Sequence, residues 1–164
     1  MHPPTGQAWL VWLETTGLAA AMREWLWLYP IIEILHIAGL AVLVGAAVLF
    51  DLRLLGLSRS IPVTVLALHL LPWARRSLFL IVPTGLMMFA AHATEMASNP
   101  AFQLKLTLLI AAGINAAAFH AGVFRTVAAW DVETSAPVAA QASGILSLSL
   151  WAGVITCGRL LAYL

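Results

Sequence analysis

Long apolar stretches alternate with short polar segments along most of this chain. A helix that crosses a bilayer needs about 20 predominantly apolar residues. Four stretches meet that length, and residues that favour helix ends bound them, such as Pro30 at a first-turn position and the charged Asp51 and Arg53. The pattern predicts four transmembrane helices, at residues 30–50, 77–94, 101–124 and 143–164.

Two further segments are partly apolar but are too short or too polar to span. Residues 5–29 hold four tryptophans and three charged side chains, a composition typical of a helix that lies on the membrane surface. This leader has neither a basic start nor a small-residue cleavage site, so we expect it to be retained. Residues 61–73 end before Arg75 and Arg76, and we predict a second, cytoplasmic interfacial helix there, bent at Pro72.

Composition places the chain in a membrane. Of its 164 residues, 62% are hydrophobic and 9% are charged, whereas an ordinary soluble domain has roughly 25% charged residues. The net charge is +1 and there is no basic run, which excludes a nucleic-acid-binding surface of clustered Lys and Arg. We therefore expect an all-α transmembrane four-helix bundle, formed by one membrane domain over residues 1–164.

The distribution of Lys and Arg around the spans predicts the orientation in the membrane. Positive side chains concentrate on the cytoplasmic side of bacterial inner-membrane proteins. One side of the predicted bundle carries Arg53, Arg59, Arg75, Arg76 and Arg125, and the other carries Arg23, Lys105 and Arg159. The Arg-rich side is accordingly predicted to be cytoplasmic, with both termini in the periplasm.

Two ionisable pairs lie in the first two predicted spans. Glu33 and His36 begin the first span, and His92 and Glu95 end the second in mirror order. Charged side chains in a bilayer cost at least about 2.5 kcal/mol each and usually face the protein interior. In two antiparallel helices, residues at equal depth have position numbers with a constant sum, and both pairings across these helices give the same sum. We therefore predict that His36 lies level with His92, and Glu33 with Glu95.

Two imidazoles at one depth are suited to holding haem b or a bare metal ion. Neutral imidazole is the commonest protein metal ligand, and a carboxylate near its second nitrogen fixes the tautomer and raises the basicity. We predict a cofactor site of His36 and His92 with the two glutamates beside them. Gly39 and Gly85 lie on the same faces, where small residues leave room for a flat macrocycle or for close helix contact.

A further pair of histidines predicts a second site near the opposite face. His120 lies close to the cytoplasmic boundary, and His69 is its candidate partner for a second haem. In a straight second helix, His69 would lie about 13 Å too far into the cytoplasm, so the pairing requires that Pro72 turn the short helix back under the bundle. The alternatives for His120 are a polar pair with Asp51 or Asn115, or a wall of a quinone pocket.

Two other ionisable side chains carry narrower expectations. Arg159, near the outer end of the fourth span, is predicted to neutralise Glu33 or Glu95, or to bind a haem propionate. His2 stands beside two prolines in the terminal segment, and we assign it no role.

Several motifs resemble those of a family of small bacterial inner-membrane proteins classified as a domain of unknown function. They are LYPIIEILH, DLRLLGL, LLPWAR, PTGLMMFAAHA, NPAFQLKL, NAAAFH and WAGVITCGRLLAY, and they cover nearly the whole chain from Tyr29 onward. The resemblance implies a four-helix membrane protein. The placement of the histidines is also similar to cytochrome b561-type proteins and to the membrane domain of copper-resistance proteins. In the b561 type, histidine pairs hold two haems near opposite faces, which implies haem ligands at His36 and His92.

These observations predict a membrane-embedded b-type cytochrome, an electron carrier with one haem or two that exchanges electrons between quinone and a periplasmic redox protein. Bis-histidine ligation leaves no open coordination position at the iron, which favours electron transfer. One alternative is a non-haem site for copper, zinc or iron, built from Glu33, His36, His92 and Glu95. Another is a structural subunit of a larger membrane complex without a cofactor, in which the tryptophan-rich leader provides a docking surface.

Overall fold

Helices form the regular structure of this chain. The computed structural model describes residues 8–161 and 163; His2 and the ends of the predicted leader and fourth span, at residues 5–7, 162 and 164, lie outside them. The helices are α1 (Ala8–Glu14), α2 (Gly17–Glu24), α3 (Leu28–Leu54), α4 (Val63–Ala91), α5 (Ala93–Ser98), α6 (Pro100–Ala121), a 3₁₀ helix (Val123–Ala129) and α7 (Val138–Leu160). No strand occurs in the described part of the chain.

Four of these helices, α3, α4, α6 and α7, are long and apolar enough to cross a membrane. The shortest has 22 residues, and at about 1.5 Å per residue it is about 33 Å long, which matches a hydrocarbon core of about 30 Å. Large apolar side chains cover the outside of the bundle; Phe79 is 84% exposed and Ile110 is 65% exposed. The prediction of an all-α, multi-pass membrane protein with four spanning helices is confirmed.

The four spanning helices form a bundle with α3 and α7 at its centre. α3 packs against α4 and α7, and α7 also packs against α6. Consecutive helices run in opposite directions, so the bundle has two ends. We call the end where α3 and α6 begin the terminal face, and the end with residues 55–62 and 122–137 the loop face. Near the loop face, the rings of Phe50 and Phe119 meet edge to face with their centres 5.8 Å apart.

α4 is one continuous helix, although it contains Pro72 and Pro83. The structure therefore differs from the predicted interfacial helix at residues 61–73 with its bend at Pro72. A proline inside a helix removes one backbone hydrogen bond and costs about 3 kcal/mol. The first turns of α4 stay in line because Val63 and Ala67 are buried in the apolar cluster that closes the loop face.

The second spanning helix ends in a break at His92. The backbone of His92, with φ −142° and ψ 46°, leaves the helical region. The short helix α5 follows, and then Asn99 caps α6 by accepting hydrogen bonds from the amides of Ala101 and Phe102. His92 thus lies at the junction of two helices, whereas the sequence places it inside a span that continues to residue 94.

The leader forms two short helices, separated at Thr16, that dock on the terminal face. Glu14 accepts hydrogen bonds from the amide and the hydroxyl of Thr94, both at 2.8 Å. Arg23 donates to the carbonyl oxygens of Ala91 at 2.9 Å and Glu14 at 2.8 Å. The single interfacial helix predicted here is therefore a pair of helices that polar contacts anchor to α4 and α5.

Arg53 ties the loop face together. Its side chain is 2% exposed, and the guanidinium donates to the carbonyl oxygens of Ile61 at 2.6 Å, Arg59 at 3.1 Å and Asp131 at 2.9 Å. Asp131 in turn accepts hydrogen bonds, both at 2.8 Å, from the amide and the hydroxyl of Thr64. These contacts join the end of α3, the start of α4 and the connection between α6 and α7.

Candidate functional site

His36 on α3 is held by hydrogen bonds to α4. Its Nδ1 atom lies 3.1 Å from the carbonyl oxygen of Ile81 and 3.0 Å from the hydroxyl of Thr84. The Thr84 hydroxyl donates to the carbonyl of Leu80 at 2.6 Å, so it accepts from His36, and the Ile81 carbonyl is an acceptor only. Both contacts therefore assign the proton to Nδ1 and leave Nε2 with a lone pair to which no described residue donates a hydrogen bond.

Thr84 and the two glycines shape the place where the His36 ring lies. Thr84 is 4% exposed, and a Cβ at Gly85 would lie 3.1 Å from the Cε1 atom of His36. A Cβ at Gly39 would lie 2.8 Å from the side chain of Ile81. Of the two roles predicted for Gly39 and Gly85, the structure shows close helix contact, and α3 and α4 leave no space for a macrocycle between these positions.

His36 and His92 lie at different depths. The ring of His92 meets the ring of Tyr29 edge to face, with centres 6.1 Å apart, whereas His36 contacts Thr84 and Gly85. Tyr29 precedes His36 by seven residues, which is about 10 Å along α3. The equal-depth register predicted from the sequence is therefore shifted by about two turns. Two imidazoles this far apart cannot both bind one metal ion at about 2 Å.

His92 instead lines a pocket of about 450 Å³ on the terminal face. The pocket is lined by Val11, Glu14, Thr15, Arg23, Ala91, His92, Thr94 and Glu95. Glu33 is exposed on α3 and is not a lining residue. In the described part of the chain, no three His, Cys, Asp or Glu side chains converge on a point that could hold a metal ion. The structure thus does not bring Glu33, His36, His92 and Glu95 together.

Lys105 reaches the same half of the bundle as His36, from α6. A Cβ at Gly158 on α7 would lie 3.7 Å from its Nζ atom, and Lys105 is an electrostatic neighbour of both His36 and Cys157. At the level of the sequence, Lys105 is only one of the positive side chains that predict the orientation in the membrane. Its spacing of four residues from the buried Ala101 is the signal that places it on an inward face of α6.

His120 and His69 have separate surroundings near the loop face. The ring of His120 packs edge-on against Phe119 and Phe124, with centres 5.3 and 5.1 Å away. His69 is exposed, and its Nδ1 donates to the carbonyl of Val65 on its own helix at 2.8 Å. The bend that the predicted second haem site requires is absent, because α4 runs on without a break through its first proline.

The polar partners predicted for His120 both face α7. Asn115 donates to the carbonyl of Ser143 at 3.0 Å and accepts from the Ser143 hydroxyl at 3.1 Å. The Asp51 carboxyl lies beside Ser147. His120 is therefore an aromatic-cluster residue in this structure, and its predicted polar pair is replaced by ring contacts.

An apolar pocket of about 360 Å³ opens near His120 on the loop face. It is lined by Thr64, Ala67, Leu68, Leu71, Pro72, Arg75 and Phe124. His120 contacts Phe124 but is not itself a lining residue of this pocket.

Arg159 interacts with an aromatic residue near the end of the chain. Its guanidinium donates to the hydroxyl of Tyr163 at 2.6 Å and lies 4.9 Å from the centre of that ring. Both Arg159 and the glutamates predicted to pair with it, Glu33 and Glu95, are exposed. Arg159 thus contacts Tyr163, whereas the sequence predicts an ion pair with a glutamate.

The chain belongs to the family of unknown function DUF6644, whose model matches residues 9–164. The predicted resemblance to a family of unknown function is confirmed by this match. The similarity to cytochrome b561-type proteins gains no support from it. No curated protein and no solved structure matches the chain.

Proposed function

We propose that this member of the DUF6644 family is a membrane-embedded redox protein that binds haem b through Nε2 of His36. The observation that carries the proposal is the hydrogen bonding of His36, whose Nδ1 donates to α4 while the lone pair of Nε2 stays free. A metal-binding histidine almost always donates its other ring nitrogen to a carbonyl, a carboxylate or water, which fixes the tautomer and orients the ring. His36 already has this arrangement.

The groups that hold His36 would also influence the iron. Glu33, which the sequence favours as the orienting group, is exposed, and the neutral Ile81 carbonyl and Thr84 hydroxyl bind Nδ1 instead. A neutral partner polarises the imidazole less than a carboxylate does, so the ring is a weaker donor to the metal. We infer a higher reduction potential than a carboxylate-bound imidazole would give, since ligand hydrogen bonding is one of the determinants of that potential.

Lys105 favours haem over a bare metal ion. Among the described residues, the ionisable neighbours of Lys105 are Cys157 and His36. Neither of them is a carboxylate. A cation without a counter-charge in a bilayer costs at least about 2.5 kcal/mol, and a haem propionate would neutralise it. A copper, zinc or iron ion would add positive charge beside Lys105. His36 would also be its single imidazole ligand.

The residues fit one histidine ligand and not two. His92 lies about 10 Å along the bundle from the level of His36, and the contact of Gly39 with Ile81 closes the space between α3 and α4. A haem on His36 would therefore lie outside the α3–α4 contact. Bound haem supplies a one-electron couple in a low-dielectric setting. The protein's own groups orient the imidazole, pair with a propionate and exclude water.

We also propose that the loop face is cytoplasmic and that both termini are periplasmic, in a bacterial inner membrane. The support is the distribution of positive side chains, which favours the cytoplasmic side. The half of the bundle toward the loop face carries Arg53, Arg59, Arg75, Arg76 and Arg125, against Arg23, Lys105 and Arg159 in the half toward the terminal face. This orientation places His36 in the half of the bundle nearer the periplasm.

Absorption spectroscopy of the full chain tests the haem proposal. The protein would be produced in cells with an ample haem supply and purified in detergent, and it should show a Soret band and a reducible alpha band. His36→Ala should lose both bands. His92→Ala should keep both, since His92 lies at another depth. Lys105→Met should retain less haem, because a propionate loses its cation.

A colourless wild-type protein would contradict the proposal, and so would an unchanged spectrum in His36→Ala. Loss of the bands in His92→Ala would restore the bis-histidine site and contradict the register, provided that circular dichroism shows an intact helix content. Elemental analysis separates the alternatives. Stoichiometric copper, zinc or iron without haem indicates a non-haem site, whereas the absence of all of these with a stable co-purifying partner indicates a subunit of a larger complex.

A further inference from the structure

Asp51 is a buried acid near the loop-face end of α3. Its side chain is 6% exposed, and its Oδ2 atom has no hydrogen-bond partner in the described part of the chain. Buried polar side-chain atoms are nearly always hydrogen-bonded, so an orphaned carboxylate oxygen calls for an explanation. An ionised carboxylate buried without a counter-charge is among the costliest groups in a folded protein.

α7 covers Asp51 closely. A Cβ at Gly144 would lie 3.4 Å from the carbonyl oxygen of Asp51 and 3.7 Å from its Cα atom. Ser147, about one turn further along α7, lies beside the carboxyl. The neighbouring polar pair, Asn115 and Ser143, is hydrogen-bonded within itself. The Asp51 side chain is therefore buried at the contact between α3 and α7, and Ser147 is its polar neighbour.

No cation of the described residues is positioned to neutralise Asp51. Arg53 commits its guanidinium to three carbonyl oxygens of the loop face. His120 packs among aromatic rings, and Arg75, which is exposed, is its electrostatic neighbour. His69 is exposed and bonded on its own helix. The charge of an ionised Asp51 would thus be uncompensated.

We propose that Asp51 is an intramembrane proton-binding site, whose carboxyl takes up a proton on Oδ2 and releases it again. A proton needs no cavity and no additional ligands, which suits a side chain that is buried where α7 packs closely on the backbone of Asp51. A calcium or magnesium ion would need about six oxygen ligands, and the described residues contain no cluster of three metal-binding side chains. The step is a proton transfer between water at the loop face and Oδ2, and no electron moves.

The position of Asp51 gives this proton a short route to water. α3 ends three positions further along, at Leu54, a rise of about 5 Å. The Ser147 hydroxyl both donates and accepts, so it suits a carboxyl that alternates between its protonated and ionised forms. Acids placed in this way inside a membrane protein are typical of proton relays. Asp51 lies about 22 Å along α3 from His36, so this site does not depend on the haem proposal.

Infrared difference spectroscopy between two pH values measures the proposed proton. The full chain in lipid nanodiscs should show the carbonyl stretch of a protonated carboxyl at low pH, and that band should disappear as the pH rises. Asp51→Asn, which keeps the size and polarity of the side chain, should lose the Asp51 component of the band. Glu33→Gln, which removes an exposed acid from the same helix, should keep that component. Ser147→Ala should shift its frequency, because a hydrogen-bonding neighbour is gone.

An unchanged difference spectrum in Asp51→Asn would overturn the proposal. A wild-type spectrum without a titrating carboxyl band would also overturn it. Helix content by circular dichroism shows whether Asp51→Asn is folded. Should that variant fail to fold, Ser147→Ala decides the question: a shifted band supports protonation of Asp51, and an unshifted band refutes it.

Discussion

Arg53 is the side chain whose removal we expect to cost the fold most. It is 2% exposed and donates hydrogen bonds to three carbonyl oxygens from two connections of the loop face. Hydrogen bonds to charged groups contribute roughly 1.5–3 kcal/mol each, and buried acceptors left without donors add a penalty. We predict that Arg53→Ala lowers the free energy of unfolding by about 3 kcal/mol or more. Denaturant unfolding in detergent micelles, followed by circular dichroism, measures this loss.

Arg76→Ala is the matched control for that prediction. Arg76 is exposed, and its guanidinium carbon lies 5.7 Å from the ring centre of Trp73. Exposed side chains of this kind usually change stability by no more than about 0.5 kcal/mol. Arg53→Lys should resemble Arg53→Ala, since one ammonium lacks the planar fork that reaches several acceptors. Equal losses in Arg76→Ala and Arg53→Ala would refute a specific role for Arg53.

The sequence identifies His36 as a candidate ligand but not the groups that hold it. His36 is recognisable because it is an ionisable residue in an otherwise apolar span. Its partners depend on how α3 is rotated about its own axis and how far it slides along α4. An apolar pattern on all sides of a helix specifies neither quantity. The contact of Gly39 with Ile81 fixes the rotation of α3 and its position along α4. This contact is a property of the packed helices and cannot be derived from the sequence of either one.

Docking of the leader depends on the half-buried carboxylate of Glu14. Hydrogen bonds from the amide and hydroxyl of Thr94 hold the pKa of Glu14 below its ordinary value of 4.5. A lowered pKa in the folded state means that the carboxylate stabilises docking fully above pH 4.5. That contribution is lost as the pH falls through the lowered pKa. We predict that amides of α1 and α2 exchange faster with solvent in this acidic range, which hydrogen-exchange mass spectrometry measures.

Glu14→Gln is the control for the pH dependence. The glutamine oxygen can still accept from Thr94, but it does not titrate in this range. Exchange of the α1 and α2 amides should therefore become independent of pH, after correction for the intrinsic exchange rate. The same acid transition in Glu14→Gln and wild type would refute the role of Glu14.

Length and hydropathy predict the four spanning helices because each must bury about 20 residues in hydrocarbon. The same signals mislead at the start of α4. Pro72 predicts a bend, yet the helix continues through it. It continues because Val63 and Ala67 are buried against residues distant in the sequence. Turn-level features of this kind depend on tertiary contacts, which a local pattern does not contain.

The whole molecule should have a fixed orientation in the bilayer. We predict that alkaline phosphatase fused after Leu164 is active, because the proposed orientation places that terminus in the periplasm, and that the same enzyme fused at Ser60 in the loop face is inactive. A fluorescent protein that matures only in the cytoplasm should give the opposite pattern at the two positions. Active phosphatase at Ser60 with none at Leu164 would reverse the orientation and place His36 in the cytoplasmic half.

The register between α3 and α4 decides which residues can form one site. A Cβ at Gly39 would lie 2.8 Å from Ile81, and this contact places His36 about 10 Å from the depth of His92. The proposals for His36 as a single histidine ligand and for His92 as a residue of the terminal-face pocket both depend on it.

Disulfide cross-linking in native membranes measures this register. In a Cys157→Ser background, which removes the free thiol, Gly39→Cys with Ile81→Cys should cross-link rapidly on mild oxidation, because disulfides form between Cβ atoms about 3.8 Å apart. Gly39→Cys with Met88→Cys, a pair that the equal-depth register brings to within one residue of the same depth, should stay reduced. Rapid cross-linking of the second pair and none of the first would contradict the structure and return the two histidines to one depth.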